Sequence, residues 1–270
     1  MVGTAKSGRA ERWSMNDTPP SDAGVAQAQQ VPRFAIRHEA EPSATLLAGF
    51  SEFGLAGLTA ANYLVEALDL EQTGHVTVEA LPAITPFEDG TPRHHTRLFS
   101  RDDLDLTVLV GELFVPLSAA EPFTDAIFEW MGPSPVEEVA VLSGIPVPHG
   151  PEAHRVFYVA TDDYRQKRLT DLDVPPMGSG FVDGVNASLL SRGIDSPLAS
   201  CLFVTPVHAQ TPDVEAAIRL VETASEIYGI EVDTAELEAF AGKVQEYYAE
   251  LQERLQGVAE QQKPEDRMYM

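Results

Sequence analysis

Apolar residues change their spacing from stretch to stretch, and the changes mark out elements. Residues 45–50, TLLAGF, form a mostly apolar run, the pattern of a strand buried on both faces. Gly49, Gly54 and Gly57 punctuate a turn at its end. From Leu55, apolar residues recur at Leu58, Ala61, Leu64 and Leu68, which is helical spacing. Strand, glycine turn and helix predict the opening half of a βαβ crossover. Short strands are expected at 34–36, 75–81 and 95–100, with 82–93 a loop because it carries prolines and Gly90. A stronger strand is expected at 104–113, with Val108, Leu109 and Val110 as its buried middle. Leu117–Met131 reads as a helix capped by Ser118, with Glu121 three residues on and Phe123, Ile127, Phe128 and Met131 along one side.

Strands at 137–143 and 155–160 flank a Gly/Pro loop, and the polar stretch 162–169 reads as surface helix or turn. A second glycine-led unit comes next. Gly178, Gly180 and Gly184 open it, a helix runs through Leu189 and Leu190 to a stop at Gly193, and 198–205 is a strand. Thr211 caps the next helix, with Pro212 in its first position and Asp213 and Glu215 complementing its dipole; it runs to Tyr228 and ends at Gly229. Asp233 and Glu236 form a capping-box variant that opens a last helix. Leu237, Val244, Leu251 and Val258 recur there seven apart. Such a stripe zips to a partner helix or lies on its own sheet, and it stands as a tentative oligomer seam.

Strands alternating with helices predict an α/β fold, a mostly parallel sheet with helices on both faces, plus a long C-terminal helix. The expected organisation is a disordered tail (1–31), an α/β domain (32–232), an amphipathic helix (233–263) and a flexible tail (264–270).

Charge narrows the partners. The 42 acidic residues against 18 basic give −24 at pH 7. Such a surface repels nucleic acid and anionic membranes, so neither is an expected partner. It fits concentrated salt, where the Debye length shrinks to about 3 Å at 1 M, and so a halophile's cytoplasm. No stretch approaches the roughly 20 apolar residues of a membrane span, and the first thirty residues lack the apolar core of a signal peptide. Met15 is a second candidate start. Cys201, the single cysteine, sits in an apolar run; it excludes an internal disulfide and a cysteine-based metal cluster.

Candidate chemistry is thin. The spacing of Gly49, Gly54 and Gly57 is not GxGxxG, no Lys-Ser/Thr follows Gly54, and Glu52 places negative charge where a phosphate would sit. The glycines are therefore read as allowing a tight turn and close helix–sheet packing. His94 and His95 are adjacent, so on a strand they face opposite ways. His149 and His154 match no metal spacing. The acid pairs Asp102-Asp103 and Glu137-Glu138 read as solvated turns. Ser143-Gly144 and Ser179-Gly180 lie outside any GxSxG elbow. No catalytic residue, metal ligand or cofactor is assigned.

The segment Leu47-Ala-Gly-Phe-Ser-Glu-Phe-Gly-Leu-Ala-Gly57 resembles the first motif of the proteasome assembly chaperone family. Gly180-Phe-Val-Asp-Gly-Val-Asn-Ala-Ser-Leu-Leu190, Thr205-Pro206, Asp213-Val-Glu-Ala-Ala217 and Tyr228-Gly-Ile-Glu-Val-Asp-Thr-Ala-Glu-Leu237 are similar to its later ones, in the same order. The departure is Ser51-Glu52-Phe53, where small residues, proline or glycine are expected. The resemblance is to an archaeal, halophile-like member. It implies a phosphorylase-like α/β domain, a homo-oligomer, no enzymatic activity, and no metal or nucleotide.

In that family's setting, Met268-Tyr269-Met270 matches hydrophobic–Tyr–any, the ending with which proteasome activators and some of these chaperones dock on the α-ring. A terminal carboxylate pairs with a lysine in a pocket, the tyrosine ring buries area, and methionine adapts to an apolar wall. The expected partners are 20S proteasome α-subunits. The rival expectation is a small-molecule enzyme with a nucleoside-phosphorylase-like fold, its pocket near the glycine turns at the strand ends.

Overall fold

The computed structural model describes residues 31–101, 103–132, 136–147, 155–208 and 211–237. The expected tail up to residue 30, most of the expected C-terminal helix, and residues 264–270 lie outside them. In chain order come β1 (Arg33–His38), β2 (Thr45–Phe50), α1 (Ala56–Ala67), β3 (Glu71–Glu79), a small hairpin of β4 (Phe87–Glu88) and β5 (Thr91–Pro92), β6 (Thr96–Ser100) and β7 (Leu106–Gly111). After these lie α2 (Leu117–Met131), β8 (Glu138–Ile145), β9 (Phe157–Ala160), α3 (Asp162–Tyr164), α4 (Gly184–Ile194), β10 (Ala199–Pro206) and α5 (Val214–Tyr228).

Eight strands make one sheet in the order β1-β3-β6-β7-β2-β8-β10-β9. Its middle, β7-β2-β8-β10, is parallel. The flanks are antiparallel: β1, β3 and β6 on one side and β9 on the other. The mix follows from the connections. The β6–β7 link is too short for a crossover helix, whereas α2 has the length to carry the chain from β7 across to the parallel β8.

The parallel strands are buried along their whole length, as their unbroken apolar runs require. Alternate residues feed opposite faces. Leu47, Val108, Ala140, Leu142 and Phe203 join α1 and α5 in one core. Leu46, Leu109, Val139, Val141 and Leu202 join α2 and α4 in the other. The expectation of helices on both faces is therefore met.

Local details differ from the expectation where packing outweighs pattern. β3 starts at Glu71, before His75, because a bulge between Gln72 and Gly74 lets the polar stretch keep pairing with β6. The 82–93 loop holds the β4–β5 hairpin. Ser118 does not cap α2, whose N-cap is Pro116; Glu121 instead accepts from Ser188 Oγ at 2.9 Å. Gly193 lies inside α4, where a Cβ would come within 2.6 Å of Ser200 Cβ, so it serves helix–sheet contact and not termination.

Asp213, not Thr211, caps α5. Its Oδ1 accepts from the Ala216 amide at 3.1 Å, and its Oδ2 takes the His208 amide at 2.9 Å and pairs with His208 Nδ1 at 2.7 Å. Asp213→Ala removes these acceptors at once and should cost about 1–2 kcal/mol in urea unfolding. A loss below about 0.3 kcal/mol would show the cap to be dispensable.

The acid pair Glu137-Glu138 is not a solvated turn. Glu138 is fully buried at the start of β8, where Arg168 grips it at 2.6 and 3.0 Å, Thr45 Oγ1 donates at 2.7 Å and Lys167 Nζ lies at 3.2 Å. Lys167 and Arg168 are consecutive, and a π-helical turn over Arg165–Leu169 accompanies their convergence on one carboxylate. Asp103, by contrast, is exposed and pairs with Arg101 at 2.6 Å.

Candidate functional site

Strand β2 lies between β7 and β8, and the chain leaves it over one face by α1 and returns over the other by α2. The carboxyl end of β2 is thus the switch point of the sheet, where open α/β sheets place ligands. The glycine turn sits there. Gly49 and Gly57 are in contact across the strand–helix junction: a Cβ on Gly49 would come within 2.6 Å of Ala61 Cβ, and one on Gly57 within 2.6 Å of the Leu142 carbonyl carbon. These two glycines bring α1 against β2 and β8 at backbone distance.

Gly54 has φ +64°, and the next residue, Leu55, follows it into the left-handed region at φ +48°. That conformation costs a leucine about 1–2 kcal/mol, and the burial of its side chain at 1 % exposure helps to hold it. The space beside Gly54 is filled. A Cβ there would lie 2.7 Å from Val207 Cβ, and one on Gly144 would lie 2.5 Å from Val207 Cγ1. Val207 thus packs directly against the turn.

Between the glycines lies a polar knot that sequence reasoning did not assemble. Glu52 Oε2 accepts from Ser143 Oγ, just past the middle of β8, and from Asn186 Nδ2 in the first turn of α4 at 2.7 Å. Asn186 Nδ2 also reaches Ser143 Oγ at 3.3 Å. Burial pushes the Glu52 carboxyl above the ordinary carboxylate range, the Ser143 and Asn186 hydrogen bonds pull it part of the way back, and the charge of Asp183 adds to the rise. Asn186 is 5 % exposed, and its Oδ1 has no hydrogen-bond partner among the described residues. The only hint in the sequence was the acid inside a glycine turn; separations of 91 and 134 residues hide the rest.

Next along the same edge, Ser51 Oγ donates to the Glu112 carbonyl at 2.9 Å. The buried Glu112 carboxylate takes Arg93 at 2.7 Å and Arg97 at 3.4 Å. A hollow of about 430 Å³ has a different lining, which includes Val76, Ile84, Arg93, His94 and His95. His94 stacks on His75 with ring centroids 3.7 Å apart, while His95 Nδ1 pairs with Thr96 Oγ1 at 2.9 Å.

The remaining expected site residues divide cleanly. Gly184 has φ +64° and a Cβ there would lie 3.7 Å from Leu117 Cδ2, whereas one on Gly180 would meet nothing within 4 Å. Leu237 is fully buried in the core shared by α1 and α5, so it faces its own domain. Val244, Leu251, Val258, Met268, Tyr269 and Met270 lie outside the described residues, as do His149 and His154. Among the described residues, no helix is long and apolar enough to cross a membrane, and no three His, Cys, Asp or Glu side chains are grouped to hold a metal ion.

The model of the PAC2 family matches residues 46–252. Among solved structures, the chain is similar to Pyrococcus furiosus PbaA, described as an archaeal homolog of proteasome-assembly chaperone. The TM-score is 0.76 at 20 % identity, covering 84 % of this chain and 99 % of that one. It is also similar to P. furiosus PbaB, described as an archaeal proteasome activator (TM-score 0.64, 19 % identity, 81 % and 98 % covered). A PAC2 family protein from Streptomyces avermitilis gives a TM-score of 0.56 at 19 % identity, with 77 % and 95 % covered. No curated protein matches the sequence.

Proposed function

The chain belongs to the PAC2 family, and from that premise we propose that it acts without catalysis, as a chaperone for assembly of the 20S proteasome. The match across residues 46–252 carries this reading. The descriptions attached to PbaA and PbaB support it.

The mechanism is differential binding. A homo-oligomer presents several Met268-Tyr269-Met270 endings to α-subunits. Each ending offers a carboxylate, a tyrosine ring and a methionine, and several on one platform gain affinity through effective concentration. Ring-competent α-subunits are held and misassembled ones are not. Because Leu237 faces inward, an oligomer seam on the last helix would rest on Val244, Leu251 and Val258. The charge of −24 suits this work in a salt-rich cytoplasm.

Deleting residues 268–270 should abolish co-purification with α-rings while leaving the thermal unfolding midpoint unchanged. Undiminished binding by the truncated chain would refute docking by the tail.

A further inference from the structure

At the carboxyl edge of the parallel strands, large apolar side chains stand in water. Phe53 is 57 % exposed, Leu117 is 67 % exposed and Phe181 is fully exposed. The chain brings each of them near the knot. Phe53 follows Glu52, whose carboxylate bonds Asn186; a Cβ on Gly184, two residues before Asn186, would lie 3.7 Å from Leu117 Cδ2; Phe181 begins the approach to the same helix. Asp183, the N-cap residue of α4, makes no side-chain capping bond. Exposed Phe53 and Phe181 thus lie beside Glu52 and Asp183 along the chain, next to the buried Asn186, whose Oδ1 has no partner among the described residues.

We propose that this edge is a docking surface for a protein partner that inserts a basic side chain between Glu52 and Asp183, flanked by apolar contacts to Phe53 and Phe181. Charge decides the occupant. An edge built on Glu52 and Asp183, in a chain of net charge −24, repels a second copy of itself and attracts a cation. An ammonium or guanidinium brings only donors, which is what carboxylates accept. Aromatic faces beside the site add cation–π attraction.

Energetics point the same way. A carboxyl whose folded pKa is raised favours the folded state when protonated, so its ionisation lowers stability as pH rises from the ordinary 4.5 through the folded value. The groups facing Glu52 are Ser143 on β8 and Asn186 and Asp183 at α4; His208 and Asp213, near Gly54, pair with each other. Burial therefore makes the Glu52 carboxyl resist ionisation, and an arriving cation favours its charged form. Glu52→Gln should melt no lower than the wild type at pH 7, with the gap closing below pH 4.5.

The inference rests on the proposed α-subunit partner, and the test separates the two. Binding of purified α-subunits is measured with the full chain, with Glu52→Gln, Phe181→Ala and Asp183→Asn, and with residues 268–270 deleted. Each edge variant should weaken binding about ten-fold while keeping the fold. Edge variants within two-fold of wild type, beside a tail deletion that binds nothing, would sink the docking edge and leave the tail reading intact. If the wild type itself binds no α-subunit, the proposed function fails, and n-butylammonium decides the edge alone. Its titration should shift the Asn186 side-chain amide resonances in the wild type and not in Glu52→Gln, with n-butanol as the uncharged control. Equal response of both proteins, or of neither, would overturn the inference.

Discussion

Gly57→Ala is expected to destabilise the chain by about 3 kcal/mol or more, at the top of the range for overpacked cores. The reason is the identity of the obstacle. An added Cβ would run into the Leu142 carbonyl, and it would lie 3.1 Å from the Ser143 amide nitrogen. Both are backbone in a central parallel strand, which cannot rotate aside as a side-chain tip can. Helix α1 must lift from the sheet, and its contact with α5 loosens with it. The usual gain from replacing glycine in a helix, about 0.5–1 kcal/mol, is too small to compensate. For a domain of this size the midpoint should fall by roughly 6–12 °C. Gly180→Ala is the control: nothing lies within 4 Å of its Cβ position, and its change should stay within about 0.5 kcal/mol. Equal midpoints for the two variants would show that the close approach of α1 carries no weight.

Arg168→Ala should cost about 3–5 kcal/mol at pH 7, because it strips a fully buried carboxylate of its bidentate partner. Thr45 and Lys167 remain, which places the loss nearer the lower figure. The acid dependence supplies a second readout. Burial pushes Glu138 up, but Arg168, Thr45 and Lys167 outweigh it and hold the carboxyl below its ordinary 4.5. A carboxyl held low contributes stability above pH 4.5 and loses it as pH falls through the folded value. Wild type should therefore weaken on acidification. The variant, whose carboxyl takes up a proton readily, should lose less, and the two should converge. Urea unfolding at pH 7 and pH 4 measures both; a gap that does not narrow at pH 4 would deny the ion pair its assigned role.

What the sequence disclosed depended on how local each interaction is. The run TLLAGF is apolar enough to require burial on both faces, and β2 obeys. The glycines' spacing marks them as packing devices, and Gly49 and Gly57 sit where any Cβ would collide. Caps were less secure. Thr211 and Asp213 both suit the start of a helix, and only the turn geometry chose the aspartate. Glu138 looked solvated because its neighbour is acidic too, while its partner lies 30 residues away. Likewise Glu52 signalled its oddity in the turn, but Ser143 and Asn186 come from distant crossovers that no spacing rule connects. Periodicity reports which way a side chain faces, not which distant side chain it meets.

The position of β2 has a bearing on how the protein is made. Thr45 pairs on one side with Leu106 and on the other with Glu138, so β2 takes its place inside the sheet only after long later stretches have left the ribosome. Loop closures of this length are slow to form. A nascent chain that ends before β8 holds the ribbon β1-β3-β6-β7-β2 with the apolar edge of β2 open, and the emergence of residues 138–145 covers that edge.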